Sequence, residues 1–191
     1  MSFQGKVRQK LGVNLSGGMP SGTMLVGDAD GIGQAVTPSG AITVSNTGVT
    51  TLDPTLVQYR EVTLTSAQVK ALRATPIDLV PAPGAGKFLE FLGAVLKLDY
   101  GSNAFTETAD NLVIQYDGGQ DASAAIEMTG FIDQTADMIA KVIPATIAAV
   151  AAANVENDAL ELFNTGDGEI AGNAANDSTL VVGISYRTHT L

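Results

Sequence analysis

The chain has no cysteine and no tryptophan, and a single histidine in 191 residues. Without cysteine there is no disulfide framework, no thiol nucleophile and no thiolate metal site. Aromatic residues make up 5% of the chain, too few for the stacking platforms that a sugar-cleaving site usually brings. Cations are scarce as well: ten Lys and Arg stand against 20 Asp and Glu, a formal charge of −10. A general nucleic-acid binder needs clustered cations to neutralise phosphates, so no nucleic-acid partner is expected. The longest apolar run, 142–153, is too short to span a bilayer and contains Pro144. No membrane partner is expected either. No apolar stretch follows the basic start, so no secretory signal is read. The glycosylation patterns Asn14-Leu15-Ser16 and Asn176-Asp177-Ser178 then carry little weight.

What the chain does have is a long stretch of small residues. Residues 26–52 contain no aromatic, no Lys, no Arg and no Glu. Short β-prone runs (Ala41-Ile42-Thr43-Val44, Gly48-Val49-Thr50-Thr51-Leu52) alternate with turn pairs such as Ser39-Gly40 and Asn46-Thr47-Gly48. Such a segment has too few large side chains to build its own core. It can hold a shape mainly by pairing with another strand or another copy of the chain.

Charge is unevenly placed. Lys6, Arg8 and Lys10 fall among the first ten residues, where there is no acid, whereas 17 acids and six bases follow from Glu61 onward. This predicts a basic extended arm over 1–25, a low-complexity β connector over 26–56 and an acidic β domain over 57–191. The arm suits an acidic partner surface, such as a neighbouring subunit, with Lys6, Arg8 and Lys10 as contacts.

Strand patterns dominate from residue 58. Alternation predicts strands over 58–64, 77–80, 111–116, 159–164 and 178–190, the last with Leu180, Val182, Ile184 and Tyr186 on one face. Residues 88–98 are apolar at odd and even positions alike and are read as a strand. A strand or short helix is expected before Pro144. Thr65-Ser66-Ala67-Gln68 forms a capping box, predicting a short helix over 66–74 that stops before Pro76. Seven or eight strands with turns and little helix predict an all-β fold, a β-sandwich or jelly roll behind the arm and connector.

Motifs that could carry chemistry are incomplete. Gly84-Ala85-Gly86-Lys87 matches the end of a phosphate loop, but Pro81 and Phe88 stand where Gly and Ser or Thr are needed. A tight turn is the simpler reading. Asp28-Ala29-Asp30-Gly31 starts like a calcium loop, yet Ile32 and Ser39 cannot supply the later ligands. Gly31-Ile32-Gly33 lacks a dinucleotide loop's third glycine. His189 lies too near the end of the chain to anchor a catalytic triad. The acids from Glu107 to Asp137 read as a solvated face rather than paired catalytic carboxylates. No cofactor, metal site or enzymatic activity is expected.

From Leu64 onward the chain resembles small structural proteins of tailed bacteriophages and prophages. The residues carrying this are Leu64-Thr65-Ser66-Ala67-Gln68, then Thr75-Pro76-Ile77-Asp78-Leu79-Val80-Pro81-Ala82-Pro83-Gly84-Ala85-Gly86-Lys87, and the ending Ser178-Thr179-Leu180-Val181-Val182-Gly183-Ile184-Ser185-Tyr186-Arg187. Gly40-Ala41-Ile42-Thr43-Val44-Ser45-Asn46-Thr47-Gly48-Val49 is similar to connecting stretches of phage fibre proteins. The resemblance implies a β-rich, usually trimeric virion component: a capsid decoration (cement) protein on the outer surface of the head, a head fibre or a tail-fibre piece. Its partners would be the major capsid protein and its own copies. The short length favours decoration. The alternatives are a tail- or head-fibre component, a receptor- or carbohydrate-binding module that engages a host surface glycan through Tyr100 or Tyr116, and, less favoured, a fibre-borne depolymerase.

Overall fold

A computed structural model describes residues 20, 22–27, 33–45, 47–107, 111–146 and 149–191. In chain order the elements are β1 (Met24–Gly27), β2 (Gly33–Val36), β3 (Ile42–Val44), β4 (Thr50–Leu52), β5 (Gln58–Leu64), α1 (Ser66–Lys70), β6 (Ile77–Val80), β7 (Lys87–Asp99), β8 (Phe105–Thr106), β9 (Asn111–Tyr116), β10 (Ile126–Glu127), β11 (Met138–Val142), a 3₁₀ turn (Ala152–Asn154), β12 (Leu160–Asn164), β13 (Ala171–Gly172) and β14 (Thr179–Thr190). The expected all-β fold is the one adopted. Two compact units divide at 53/54, where the sequence reading drew its last boundary at 56/57.

The first unit contains two antiparallel ribbons, β1–β2 and β3–β4. None of its described residues is buried. Met24, Leu25, Val26, Val36, Ile42, Val49 and Leu52 are each 40–60% exposed. Residues 1–19, including Lys6, Arg8 and Lys10, lie outside the described residues, as do 28–32 with the aborted calcium-loop motif.

The second unit is β-sandwich-like. Two four-stranded antiparallel sheets, ordered β10-β9-β12-β6 and β11-β7-β14-β5, share one apolar core. Leu112, Ile114, Leu160 and Leu162 come from the first sheet, and Leu89, Leu96, Leu98, Leu180, Val182 and Ile184 from the second, all essentially inaccessible. Truncating one such Leu to Ala costs about 2–5 kcal/mol, so each of these positions carries a sizeable share of the unit's stability.

Strand β7 explains its own sequence. Its inward residues are Leu89 and Phe91, then Ala94, Leu96 and Leu98. The parity switches because the ladder with β14 skips Leu92: Tyr186 pairs with Phe91 and Ser185 with Gly93. This is a β-bulge, and Gly93 there has φ +152°, a conformation L side chains rarely adopt. An apolar pattern on both parities is therefore one strand that changes face. A second irregularity, between β6 and β12, leaves Leu79 unpaired, so Leu79 and its neighbour Val80 are both buried.

The capping box forms as read: Thr65 Oγ1 accepts the Gln68 N–H at 3.4 Å, and Gln68 Oε1 accepts the Thr65 N–H at 2.9 Å. The helix is shorter than expected, ending at Lys70 rather than 74. The Arg73 and Ala74 N–H groups donate to the Glu169 carboxylate at 3.2 and 2.8 Å instead of to helical carbonyls, and Leu72 turns fully into the core.

Candidate functional site

The start of β7, the end of β9, Pro144, Ala145 and residues of 150–155 border a recess of about 330 Å³. Phe88, Phe91, Tyr116, Pro144, Val150 and Val155 supply its apolar wall, with Glu90 among them. Tyr116 is buried, and its hydroxyl donates to the Leu89 carbonyl. Burial, then the nearby charges of Glu90 and Asp158, push its pKa up to about 12. The Tyr116 hydroxyl is thus committed to the Leu89 carbonyl, and what Tyr116 presents to the recess is part of its ring. Tyr100 is half-buried, and its N–H is capped by the Asp137 carboxylate at 2.9 Å.

His189 takes part in a cross-strand cluster beside this cavity. Its Nε2 lies 2.9 Å from Glu90 Oε2, and Arg187 Nη1 lies 3.7 Å from the same oxygen. The imidazole stacks on Phe88 with ring centroids 5.0 Å apart. This arrangement pairs Arg187 with Glu90 and covers an aromatic face, and the partly exposed Arg187–Glu90 pair is weak. It supplies an apolar recess with a polar rim.

The other sequence motifs resolve into structure. In 84–87 the amides are already used: the Gly84 N–H donates to Asn157 Oδ1 and the Gly86 N–H to Glu156 Oε1, each at 2.8 Å. The loop is a turn tied to a neighbouring loop and presents no vacant phosphate cradle. Several acids between 107 and 137 cap loops: Asp133 accepts the Gly130 N–H at 2.8 Å and Glu127 the Thr129 N–H at 3.1 Å. Among the described residues no group of three or more His, Asp or Glu is placed to hold a metal ion.

Two polar sites escaped the sequence reading. Glu161 is 6% exposed, although its place between Leu160 and Leu162 suggests a solvent-facing position. Gln115 Nε2 donates to its Oε1 at 2.7 Å. Burial raises its pKa, the Gln115 hydrogen bond opposes this, and the charges of Asp117 and Asp78 add to the rise. Asn173 is fully buried and joins three segments: Oδ1 accepts from Ser66 Oγ at 2.8 Å, while Nδ2 donates to the Asn103 carbonyl at 2.5 Å and to Ser178 Oγ at 2.7 Å. No local signal marks an Asn as a hub when its partners are 70 and 107 residues away.

The outer face of the sheet β11-β7-β14-β5 carries the exposed side chains of Tyr59, Val95 and Ile139. A shallow cleft there is floored by Gly93 and Gly183 and walled by Tyr59, Val95, Lys141 and Ile143. The Tyr59 ring lies over Gly183, where a Cβ would meet the phenol oxygen at 2.4 Å. Comparison of this chain with protein-family models, curated proteins and solved structures returns no match.

Proposed function

We propose that this chain is a structural protein of a tailed-bacteriophage virion, a homotrimeric capsid decoration protein that binds the outer surface of the head. One observation carries the reading: a unit whose described residues bury nothing, and which exposes seven large apolar side chains, is joined to a unit with a complete core. An isolated two-stranded ribbon is marginal in water. The first unit is therefore a part that becomes stable when other surfaces cover it, as a protein that works inside an assembly requires. The phage resemblance supplies the class of assembly, and the basic residues Lys6, Arg8 and Lys10 supply the contact with the acidic face of a major capsid protein. Each covered patch contributes about 25 cal/mol per Å² of apolar area, and three arms per trimer multiply weak contacts by avidity.

The test is to mix the full chain with undecorated shells and count the copies that co-sediment. Hundreds of copies per particle support decoration. Small multiples of three point to a fibre or vertex role, and no association at low salt rejects the virion reading. Replacing Lys6, Arg8 and Lys10 together by Ala should weaken coating and flatten its salt dependence.

A second reading, glycan binding, is favoured by the recess beside the stacked Phe88–His189 pair, with Glu90 and Arg187 at its rim. Retention on a glycan array that Phe88→Ala abolishes would support it.

A further inference from the structure

We infer that copies of this chain associate by continuing the sheet β11-β7-β14-β5, the outer edge of β11 in one copy pairing antiparallel with the outer edge of β5 in the next, Lys141 opposite Glu61. This rests on the trimeric reading above and names its contact surface.

Strand register sets the argument. Across the outer face, one row runs Ile139, Lys97, Val181, Thr63, and the next runs Lys141, Val95, Gly183, Glu61. A third contains Gly93, Ser185 and Tyr59, and Ile143, just beyond β11, shares its cleft. β11 and β5 are the two edges of this sheet, and no described strand pairs with the outer side of either. All neighbouring pairs are antiparallel, so a copy that extends the sheet brings β5 antiparallel to β11.

Continuing the rows gives Ile139 opposite Thr63 and Lys141 opposite Glu61; the exposed Ile143 side chain, whose carbonyl accepts the Ala124 N–H, comes beside Tyr59. These are a β-branched pair, an opposite-charge pair and an aromatic–β-branched pair, each of a kind that stabilises neighbouring strands. A slip of two residues either way sets Lys141 against Thr63 or Tyr59 and leaves Glu61 facing an isoleucine. A slip of one residue turns Lys141 against the opposite face. One register alone satisfies the charges and the apolar residues together.

The exposure fits. Ile139, Ile143 and Tyr59 are 67%, 66% and 64% accessible, and Lys141 makes no ion pair among the described residues. A lysine on an edge strand ordinarily blocks pairing. Here the opposite edge carries the matching acid, so the lysine selects the partner edge. Two-fold pairing of β11 with itself would oppose Lys141 to Lys141, and of β5 with itself Glu61 to Glu61. Head-to-tail contact avoids both, and it closes into a ring or grows into a filament.

The experiment measures the solution mass of the full chain at its highest soluble concentration. A ring of three has a mass of about 59 kDa, three times the 19.6 kDa chain. Lys141→Glu and Glu61→Lys each place like charges across the contact. Each should weaken one interface roughly tenfold and a ring of three roughly a thousandfold, giving monomer. The double variant Lys141→Glu with Glu61→Lys restores the parent mass. Both residues are exposed, and an unchanged β circular-dichroism spectrum checks folding. A monomeric parent, single variants that keep the parent mass, or a double variant that fails to recover it each overturn the pairing. A monomer that still coats shells removes this contact and leaves the decoration reading; a ring that ignores shells does the reverse.

Discussion

Replacing Asn173 with Ala removes a side chain that carries several buried hydrogen bonds at once. Its Nδ2 donates to the Asn103 carbonyl, Ser178 Oγ and Asp177 Oδ1, and its Oδ1 accepts from Ser66 Oγ and the Ser178 N–H. Ser178 keeps a partner, because its Oγ also accepts the Gly101 N–H at 3.0 Å. The buried Ser66 hydroxyl and the buried Ser178 N–H lose their acceptor, whereas the Asn103 carbonyl keeps the Ser178 hydroxyl at 3.4 Å. Each buried group left unsatisfied costs about 1–3 kcal/mol, which sets the loss at roughly 2–6 kcal/mol for the two. The backbone adds to it: Asn173 has φ +39°, a left-handed conformation that Asn tolerates and that costs Ala about 1 kcal/mol more. The expected loss is therefore about 3–7 kcal/mol, a large share of the roughly 5–15 kcal/mol that holds a typical domain.

Urea denaturation followed by tyrosine fluorescence measures it cleanly. There is no tryptophan, and all four tyrosines, at 59, 100, 116 and 186, lie in the second unit. Asn173→Gly deletes the same side chain without the φ penalty, so it should be about 1 kcal/mol milder than Ala. A loss below about 1 kcal/mol for Asn173→Ala would show that water or local rearrangement replaces the hub. Equal losses for Gly and Ala would refute the backbone component.

Tyr116→Phe should cost about 1–2 kcal/mol, because the Leu89 carbonyl loses its donor; in the parent, stability should fall as pH rises above the usual tyrosine range toward about 12, the value to which burial pushes Tyr116. Glu161→Gln should stabilise the protein at neutral pH, since the buried carboxyl has a raised pKa. Between the ordinary Glu pKa and that raised value the folded chain holds a proton the unfolded chain releases, so parent stability declines as pH rises through the window and levels off above it. Parallel stability curves for parent and Gln variant across that window would dismiss this account. Amide exchange should protect β1–β4 only in the assembled state while β7, β9, β12 and β14 are protected throughout, and exchange in β1–β4 that ignores assembly would contradict the coupling.

Much of the second unit was legible in the sequence because local chemistry and tertiary fate agree there. Thr65 and Gln68 cap a helix in any context, and Leu180, Val182 and Ile184 alternate because one face of β14 is core. The bulge at Leu92-Gly93 was not legible as such, since a change of face and a strand buried on both sides leave the same apolar run. The two-residue strands β8, β10 and β13 exist only through distant partners, as in Gly172 opposite Phe105, and no propensity reveals them. Of the candidate sites, the turn at 84–87 was readable from its missing residues. The Glu90–His189–Arg187 cluster and the Asn173 hub were not, because their geometry depends on register and loop closure.

The two units put one composition to opposite uses. In 54–191 leucine, isoleucine and valine recur at strand spacing, so the sheets close over their own core. In 20–52 the described strands have lengths of three or four residues and no aromatic side chain to cover them. Their backbone pairs locally, but their apolar side chains stay in water, which leaves conformational entropy largely unopposed. Natural chains do not keep such surface exposed without a partner that covers it. The sheet edges of the second unit differ in kind: they carry Lys141 and Glu61, the opposite charges that the proposed contact pairs. In the proposed assembly, burial of the first unit supplies the apolar contribution and the Lys141 and Glu61 edges its specificity. The proposed assembly needs both, and it draws them from separate parts of the chain.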